Sequence, residues 1–378
     1  MRAVQQEEQI HRLREYYNAI SEVKKLRYDY GKVKSEILHR INLRAKINKK
    51  NGEISSFLFF PESNYISSMR NSLSKLGPLS IYDYGLRGYK QSDFAKRTTE
   101  TEVLRARMNE EFVQEVIAAH RNCRLDWILC FANPIELNPS TIQKIIEVIG
   151  VPIVNITMDD INSWSGRGSL PGLKLFANTF DVAWTTSRLS LDWYTSEGGR
   201  PVLLPEGFDD DIYNKHEVRK DIDVSFVGQC YGIRPIVIRK LREAGVNVQT
   251  YGPGWDSGHI SVEKQVEIFC RSKVNLGFGG IGHTLSVCNI KARDFEVPAC
   301  GSVYLTTYNP DLSSFYDIGK EILTYTSVYD LINQIRWCLR YPAKAEAVAL
   351  NGYRRAHSDH TWLHRYKVIL EILGIIED

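Results

Sequence analysis

The sequence predicts an α/β fold of two facing Rossmann-like domains with an N-terminal helical extension. From Ser56 onward, short apolar runs alternate with helical stretches. A polar, acidic segment at 205–223 interrupts the alternation, which then restarts. Continuous apolar strands separated by helices are typical of parallel sheets covered on both faces. A chain of 378 residues is long enough for two such domains and an extension.

The predicted extension, residues 1–50, has a composition of its own. It lacks proline, and thirteen Lys or Arg against six Asp or Glu leave an excess of seven positive charges. Its apolar residues fall at helical spacing, namely Ile10, Leu13, Tyr17, Ile20, Val33, Ile37 and Ile41. We favour one or two helices packed on the main body or on a partner chain. The alternative is a basic helix that touches anionic lipid, so peripheral membrane contact or self-association through this segment stays open.

The first Rossmann-like domain is predicted at 51–215. Its strands are FLFF at 57–60, SIYDY at 80–84, WILCFA at 127–132, PIVNITM at 152–158, DVAWTTS at 181–187 and PVLLPEG at 201–207. Helical sequence near 64–76 and 101–119 separates the first three. The segment at 205–223 is interpreted as a linker.

The second Rossmann-like domain is predicted at 216–357. Its strands are DVSFVG at 223–228, NVQTYG at 247–252, VNLGFG at 274–279, SVYLTT at 302–307 and EILTYT at 321–326. Two helices close the chain, and we expect the last one, within 358–378, to cross back to the first domain. Two doubly wound domains that face each other leave a cleft at the carboxyl ends of their strands, where ligands are expected.

Composition excludes several classes of protein. The formal net charge of +3 is too small to indicate a nucleic-acid partner. The chain has no apolar run near the roughly 20 residues that a membrane span needs, and its N-terminus lacks the apolar core of a secretion signal. Seven cysteines without a Cys-x-x-Cys pair indicate reduced thiols. We therefore expect a cytoplasmic protein.

The segment VSFVGQCYGIR, 224–234, is the first candidate for chemistry. A predicted strand ends at Gly228, and a helix is predicted to begin near Ile233. Glycines let the backbone approach a phosphate, and the helix N-terminus offers free N–H groups. Arg234 could add a bidentate phosphate contact. By itself, the alternative that Gly228 only serves the turn geometry is favoured.

The segment YGPGW, 251–255, is the second candidate. Proline and glycine after a strand force a turn and place Trp255 at the carboxyl edge of the sheet. A tryptophan there can stack on a base or sugar, or it can fill the interface. The sequence does not choose between these two roles.

The segment GFGGIGHTLSVCNIKARDFEVPACG, 277–301, is the third candidate. Asn289 is predicted to cap a helix. Lys291 and Arg293 then lie in its first turns, where cations are unfavourable unless an anion lies in front of them. Glu296 is positioned to accept hydrogen bonds from a ribose diol, and His283 to donate to a phosphate or sugar oxygen. The alternative is that Arg293 and Glu296 form a weak surface pair.

The segment NITMDDINSW, 155–164, is the fourth candidate. Asp159 and Asp160 directly follow a predicted strand and so lie at its carboxyl end. Either could orient acceptor hydroxyls or act as a general base, and helix capping is an equal alternative. A run of three aspartates at 209–211 lies in the predicted linker, so we interpret it as solvated charge and predict no metal site.

Four motifs together resemble one family. FVGQCYGIR, YGPGW, NIKARDFEVPACGSVYLT and HSDHTWLHRY are similar in order and spacing to those of the CgeB-like (spore maturation type) group 1 glycosyltransferases, which have the GT-B fold. The resemblance covers about 220–375. It extends more loosely into the first domain through MDD, WTTS and LPEGFD.

The resemblance implies a division of labour between the domains. The second domain would bind a nucleotide-sugar donor and the first an acceptor. Glu296 matches the glutamate that holds the donor ribose, Arg293 and Asn289 match positions beside the diphosphate, and Arg234 matches an arginine after the glycine loop. The family generally needs no metal and no cofactor besides the nucleoside-diphosphate sugar. Many members carry a second glutamate where this chain has Cys288, so the anomeric outcome is left open.

The expected activity is that of a glycosyltransferase, hexosyl or related. It would transfer a sugar to a glycan, lipid-linked or protein acceptor in the biosynthesis of a cell-surface glycan. An inverting reaction would use Asp159 or Asp160 as its base. Two alternatives keep the fold, a nucleotide-sugar epimerase and a non-catalytic protein that binds nucleotide or glycan.

Overall fold

A computed structural model describes residues 2–45, 47, 49–61, 64–282 and 287–377 of the chain. Two units, each built on its own parallel sheet, account for the chain. The first unit comprises Gln9–Leu204 and Arg365–Asp378. The second unit comprises Met1–Glu8 and Pro205–His364.

The first unit has a six-stranded sheet. Its strands are β1 (Ser56–Phe60), β2 (Leu79–Asp83), β3 (Trp127–Cys130), β4 (Ile153–Thr157), β5 (Val182–Thr185) and β6 (Pro201–Leu203), in the order β2-β1-β3-β4-β5-β6. All neighbouring strands are parallel. Strands β1, β3, β4 and β5 are buried throughout, as expected for a sheet covered on both faces.

Helices surround this sheet and precede it. They are α1 (Arg2–Lys24), α2 (Tyr30–Asn42), α3 (Asn64–Ser74), α4 (Gln91–Phe94), α5 (Thr99–Asn122), α6 (Pro139–Ile149), α7 (Asp160–Ser163) and α8 (Leu191–Ser196). An aromatic cluster from β1, β2 and α5 fills one face of the sheet. Within it the ring of Phe59 lies 4.5 Å from that of Phe112 and 5.8 Å from that of Tyr82.

The N-terminal helices are anchored in the first unit by buried side chains. Tyr17 of α1 stacks on Trp193 at 5.4 Å between ring centroids. Its hydroxyl accepts a hydrogen bond from Trp164 Nε1 at 2.9 Å and donates one to Glu197 at 2.8 Å. These contacts fit a helical extension that packs on the chain's own body.

Helix α2 is held to the first sheet through one buried carboxylate. Asp181, which is fully buried just before β5, accepts hydrogen bonds from Arg40 Nε at 3.0 Å and from Arg44 Nη2. The backbone N–H of Ile153, at the start of β4, donates to the same carboxylate at 2.9 Å. One acidic side chain thus joins Arg40 of α2 and Arg44, just after this helix, to the start of β4.

The second unit has a five-stranded sheet. Its strands are β7 (Ile222–Val227), β8 (Val248–Tyr251), β9 (Ser272–Leu276), β10 (Tyr304–Thr307) and β11 (Leu323–Tyr325), in the order β11-β10-β9-β7-β8. The neighbouring strands are again parallel. Its helices are α9 (Arg234–Glu243), α10 (Val262–Arg271), α11 (Arg293–Ala299), α12 (Val328–Arg340) and α13 (Pro342–Asp359). Val224, Leu276 and Leu305 form part of its core. The last helix, α14 (Trp362–Ile372), is divided, since its residues from Arg365 onward cluster with the first unit.

The boundary between the units differs from the predicted one. We predicted a division after residue 215, within a solvated linker, but residues 205–215 cluster with the second unit. Phe208, Asp209 and Tyr213 are buried there, so this segment is not a linker. Polar composition misled the interpretation, since the few apolar side chains of the segment point into the core of the second unit. At the other end, the part of the chain that clusters with the first unit begins at Arg365 rather than at 358.

The strand order gives each sheet one topological switch point. In each unit the first strand lies between the second and the third, so the direction of winding reverses between β1 and β3 and between β7 and β9. In open α/β sheets, ligands bind outside the carboxyl ends of the strands at such a switch point. Among the described helices, none is long and apolar enough to cross a membrane.

Candidate functional site

The predicted donor residues that follow β7 meet around one aromatic ring. Trp255 Nε1 donates a hydrogen bond to the carbonyl oxygen of Gly228 at 2.9 Å, and its ring lies edge-on to Phe226 at 6.2 Å. The guanidinium of Arg234 lies 4.2 Å from the centre of the Tyr231 ring and 5.5 Å from that of Phe226. The structure therefore brings three predicted residues together at the carboxyl end of β7.

The glycine at the end of β7 is required by packing. A Cβ on Gly228 would lie 2.8 Å from a ring carbon of Phe226, and one on Gly252 would lie 2.7 Å from the carbonyl oxygen of Gly228. This close approach explains both glycines without a ligand. Trp255 likewise uses its indole N–H on the chain itself, which favours its role in covering the sheet edge over base stacking.

The chain after β9 folds back along itself. Residue Gly280 forms an antiparallel bridge with Cys288, and the N–H of Asn289 donates to the carbonyl oxygen of Gly279 at 3.0 Å. The ring of Phe278 lies edge-on to Phe226 at 4.9 Å. These contacts place Asn289 at the carboxyl end of β9, next to the end of β7. His283, predicted as a catalytic residue, lies outside the described residues.

Two predictions about the following helix are wrong. Helix α11 begins at Arg293, with Ala292 in the N-cap position, so Asn289 does not cap it. Lys291 precedes the helix instead of lying in its first turn. The buried carboxylate of Asp294 accepts a hydrogen bond from the N–H of Lys291 at 2.6 Å. The N–H groups of Asp294 and Phe295, in the first turn, donate to the backbone carbonyl oxygens of Lys291 and Ala292 at 2.9 Å, so backbone groups satisfy them in place of a side-chain cap.

Arg293 and Glu296 form an ion pair that is shielded from solvent. Arg293 Nη1 lies 2.6 Å from Glu296 Oε2, and the side chains are 24% and 7% exposed. The interpretation of a weak surface pair is therefore wrong. Burial works to lower the pKa of Arg293, but Glu296, Tyr213, Tyr304 and Glu206 together outweigh it, and the pKa is raised. The guanidinium also lies 5.0 Å from the centre of the Phe269 ring.

Sequence reasoning missed the buried polar groups around this pair. Tyr304 donates its hydroxyl to Asp294 Oδ1 at 2.8 Å. Burial raises the pKa of Asp294 to about 6. Tyr213 hydrogen-bonds Glu296, and burial raises the pKa of that tyrosine well above its usual value. The sequence does place Asp294 between Arg293 and Glu296 on one short helix, but Asp294 was not predicted as a site residue.

The two aspartates of the first unit have different surroundings. Asp160 is fully buried, and its carboxylate accepts hydrogen bonds from Thr185 at 2.6 Å, Ser190 at 2.8 Å and the N–H of Ile161 at 2.9 Å. Burial raises the pKa of Asp160 to about 6 despite these donors. Such a carboxylate stabilises the turn after β4 and is poorly placed to reach a substrate.

Asp159 is less buried than Asp160 and remains the candidate for a catalytic role. It is half-buried, and its backbone is left-handed with φ 53° and ψ 33°. A residue other than glycine rarely adopts this conformation, and such strained residues cluster at functional sites. Its side chain makes no capping hydrogen bond to α7, so the capping alternative fails for this residue.

A buried glutamate in the first unit was also missed. Glu136 lies in the loop after β3 and is 1% exposed. Its Oε1 accepts hydrogen bonds from the Tyr84 hydroxyl at 2.9 Å, from Gln91 Nε2 at 2.5 Å and from Asn133 Nδ2 at 3.0 Å. The surrounding sequence, FANPIELNP, has the appearance of an ordinary loop, and only the tertiary structure shows that the glutamate turns inward.

The acidic run at 209–211 is only partly solvated. The three carboxylates could bring one oxygen each within 4.8 Å of one another. Asp209 is fully buried, which corrects the interpretation of solvated charge, and it accepts a hydrogen bond from the N–H of Asp211 at 2.9 Å. Exposed acidic groups of this kind are common without an ion.

A sequence comparison covers most of the second unit. Residues 234–371 match the family described as glycosyl transferase-like. No curated protein sequence matches the chain. The narrower CgeB-like group therefore stays a prediction.

Solved structures share the fold of nearly the whole chain. Sucrose-phosphate synthase from Thermosynechococcus elongatus has a TM-score of 0.57 at 12% identity, over 85% of this chain and 99% of that one. Anabaena HepE in complex with UDP and glucose has a TM-score of 0.55 at 13% identity, over 85% and 100%. A glycosyltransferase from Rickettsia africae has a TM-score of 0.52 at 9% identity, over 86% and 99%. Together with the two parallel sheets, they confirm the predicted α/β fold of the GT-B class.

Proposed function

We propose that the protein is a glycosyltransferase that moves a sugar from a nucleoside-diphosphate donor to a hydroxyl of its acceptor, which is a glycan, a lipid-linked sugar or a protein. The observation that carries the proposal is the shielded Arg293–Glu296 pair in the glycosyl transferase-like part of the chain. Anabaena HepE, which has the same fold, was solved with UDP and glucose. That structure makes a nucleoside diphosphate the natural first ligand to test.

The donor would be held by the second unit at the switch point of its sheet. Glu296 accepts hydrogen bonds from the ribose diol, and Arg293 contacts the adjacent phosphate. Asn289, Lys291 and Arg234 complete the surroundings of the diphosphate. Arg293 and Glu296 bind each other at 2.6 Å, so each of the two largely shielded charges has a partner of opposite charge. A ligand that brings both a diol and a phosphate can replace that pairing with one contact for each partner.

The chemical step is a displacement at the anomeric carbon of the sugar. The acceptor oxygen forms a bond to that carbon, and the bond to the diphosphate oxygen breaks with its electron pair remaining on the diphosphate. Arg234, Lys291 and Arg293 stabilise the departing charge, so no metal is required. In an inverting reaction Asp159 takes the acceptor proton. We assign this role to Asp159 and not to Asp160, because Asp160 is buried among three hydrogen-bond donors.

The test is a thermal-unfolding series with UDP, GDP, dTDP, CDP and CMP, each with and without magnesium. A ligand at a hundred times its dissociation constant stabilises the folded state by about 2.7 kcal/mol, which gives a clear rise in melting temperature. We expect one base to stand out among the diphosphates without a magnesium requirement. If none of the nucleotides stabilises the protein, the proposed donor site is wrong. If stabilisation appears only with magnesium, the metal-independent mechanism is wrong.

A further inference from the structure

The first unit contains a cavity at the switch point of its own sheet. It lies where β1, β3 and β4 end, with Pro61, Phe131 and Met158 among its lining residues. Its volume is about 180 Å³. Complete small-molecule sites are usually about 300–1,000 Å³, so this cavity fits one group of a larger ligand. An engineered apolar cavity of about 150 Å³ binds benzene, which sets the scale at one six-membered ring.

The walls of this cavity are mainly apolar. Phe131, Ile156, Met158 and Leu173 contribute to them. The polar side chains Gln91, Asn133 and Glu136 come together at one part of the lining, since both amides hydrogen-bond the glutamate. A few convergent polar groups in an apolar cavity are what fixes the orientation of a ligand.

Among the described residues that line this cavity, Glu136 is the ionisable one. Three donors converge on its Oε1, whereas Oε2 receives one long hydrogen bond, from the N–H of Asn133 at 3.3 Å. A carboxylate oxygen can accept two hydrogen bonds, so Oε2 keeps acceptor capacity. Burial raises the pKa of Glu136 to about 7, although Tyr84, Asn133 and Gln91 work to lower it.

We infer that this cavity binds an apolar six-membered ring of the acceptor that carries a single hydroxyl, and that this hydroxyl donates its hydrogen bond to Glu136. The inference rests on the proposed transferase function, because it assigns the cavity to the acceptor. A phenol is the simplest molecule with this chemistry. The cavity would thus select an acceptor that has an apolar ring and one hydroxyl that donates a hydrogen bond.

A fully hydroxylated sugar ring fits this lining poorly. Each hydroxyl that enters an apolar cavity without a hydrogen-bond partner weakens binding. The amides of Gln91 and Asn133 already donate to Glu136, so they offer few further donors. An ammonium group is also disfavoured, because an apolar environment penalises a charge strongly. An apolar ring with one hydroxyl avoids both costs.

Few other ionisable groups face Glu136. The Tyr84 hydroxyl, at the end of β2, bonds its carboxylate, and burial raises the pKa of that tyrosine above its usual value. From α5, Arg105 donates to the carbonyl oxygen of Pro134 at 3.4 Å. Of the cavity lining that the structure describes, Glu136 is the group whose pKa lies near 7.

The experiment measures the binding of phenol, benzene and glucose to the full chain by ligand-observed NMR at pH 6 and pH 8.5. At pH 8.5 Glu136 is ionised and phenol, with a pKa near 10 as in tyrosine, is still neutral. We expect phenol to bind about tenfold more tightly than benzene at pH 8.5 and about equally at pH 6. Equal binding at both pH values, no binding of either ring, or displacement of phenol by glucose would overturn the inference.

Two variants make the test specific. Glu136→Gln should abolish the preference for phenol at pH 8.5 and keep benzene binding. Ala132→Leu, which fills the cavity without changing its charge, should abolish the binding of both rings. Ring binding that survives Ala132→Leu would place the ligand elsewhere and contradict the proposal. Nucleotide stabilisation is measured on the same samples, so a failure of the cavity and a failure of the donor site are told apart.

Discussion

At the scale of single residues, the ion pair of Arg293 and Glu296 is largely shielded from water. Arg293 and Glu296 were expected three residues apart on one helix face, and their spacing was readable from the sequence. Their burial was not, because it depends on Tyr213 from a distant segment and on Phe269 of α10. Spacing along a helix is a local property, whereas desolvation is a property of the assembled unit.

The buried pair should couple strongly in stability. Arg293→Ala leaves the Glu296 carboxylate buried and unpaired, and we expect it to lower the free energy of unfolding by about 3–5 kcal/mol. The double variant with Glu296→Ala should cost clearly less than the sum of the two single variants. Urea unfolding of the four proteins measures this coupling.

A matched control for that cycle lies on α10. Lys264 and Glu267 are also three residues apart, with their charges 2.8 Å from each other, but they are 46% and 39% exposed. Their removal should change the free energy of unfolding by less than about 1 kcal/mol. If the two pairs show the same coupling, burial does not distinguish them and the account of the site fails.

At the scale of secondary structure, strands were predicted more faithfully than helix ends. Each run predicted as a strand, such as WILCFA and VNLGFG, contains a parallel strand of the structure, because hydrophobicity is carried by the run itself. The predicted start of α11 was wrong, since the backbone carbonyl oxygens of Lys291 and Ala292, and not the Asn289 side chain, accept from the first N–H groups of the helix. Glu136 was missed because a loop sequence gives no sign of which side chains turn inward.

Helix α2 offers a test of how the N-terminal extension is held. Asp181→Ala removes the shared acceptor of Arg40, Arg44 and the N–H of Ile153. We expect the first unit to lose about 3–5 kcal/mol, because a buried ionic network is left with unpaired charges.

Thermal unfolding monitored by circular dichroism measures this loss. Glu110→Ala, which removes an exposed pair with Lys144 in the same unit, should change stability by less than about 1 kcal/mol. A similarly small effect of Asp181→Ala would show that packing of α2, and not this carboxylate, anchors the extension.

At the scale of the whole molecule, three buried carboxyls should make stability depend on pH. Burial raises the pKa of Glu136 to about 7 and the pKa values of Asp160 and Asp294 to about 6. A carboxyl whose pKa is higher in the folded state binds its proton more tightly there. Its contribution to stability is full below the unfolded pKa, near 4, and is lost as the pH rises through the folded value.

Asp294→Asn isolates one of these contributions in the second unit. A rise of about two pKa units corresponds to about 3 kcal/mol, so the wild-type protein should lose up to that amount between pH 4 and pH 7 through this group. The variant should show a correspondingly weaker loss in urea unfolding over the same range. Identical pH profiles would mean that Asp294 titrates normally in the folded protein.

The division into two sheets was predictable because the alternation of strands and helices repeats twice along the sequence. Where the units end was not predictable in the same way. The polar segment from Pro205 has few apolar side chains, and only their burial assigns it to the second unit. The roles of the donor and acceptor residues depend on ligands, which neither sequence period nor hydrophobicity encodes.

The central claim is that Glu296 and Arg293 bind a nucleoside diphosphate. Calorimetric titration of the diphosphate that stabilises the wild-type protein, into wild type, Glu296→Gln and the exposed control Glu267→Gln, tests it most directly. We predict that Glu296→Gln weakens binding by about 10- to 100-fold, as expected for the loss of a charged hydrogen bond, and that Glu267→Gln binds as wild type does. Equal affinity of all three folded proteins would contradict the claim and leave the buried pair with a structural role alone.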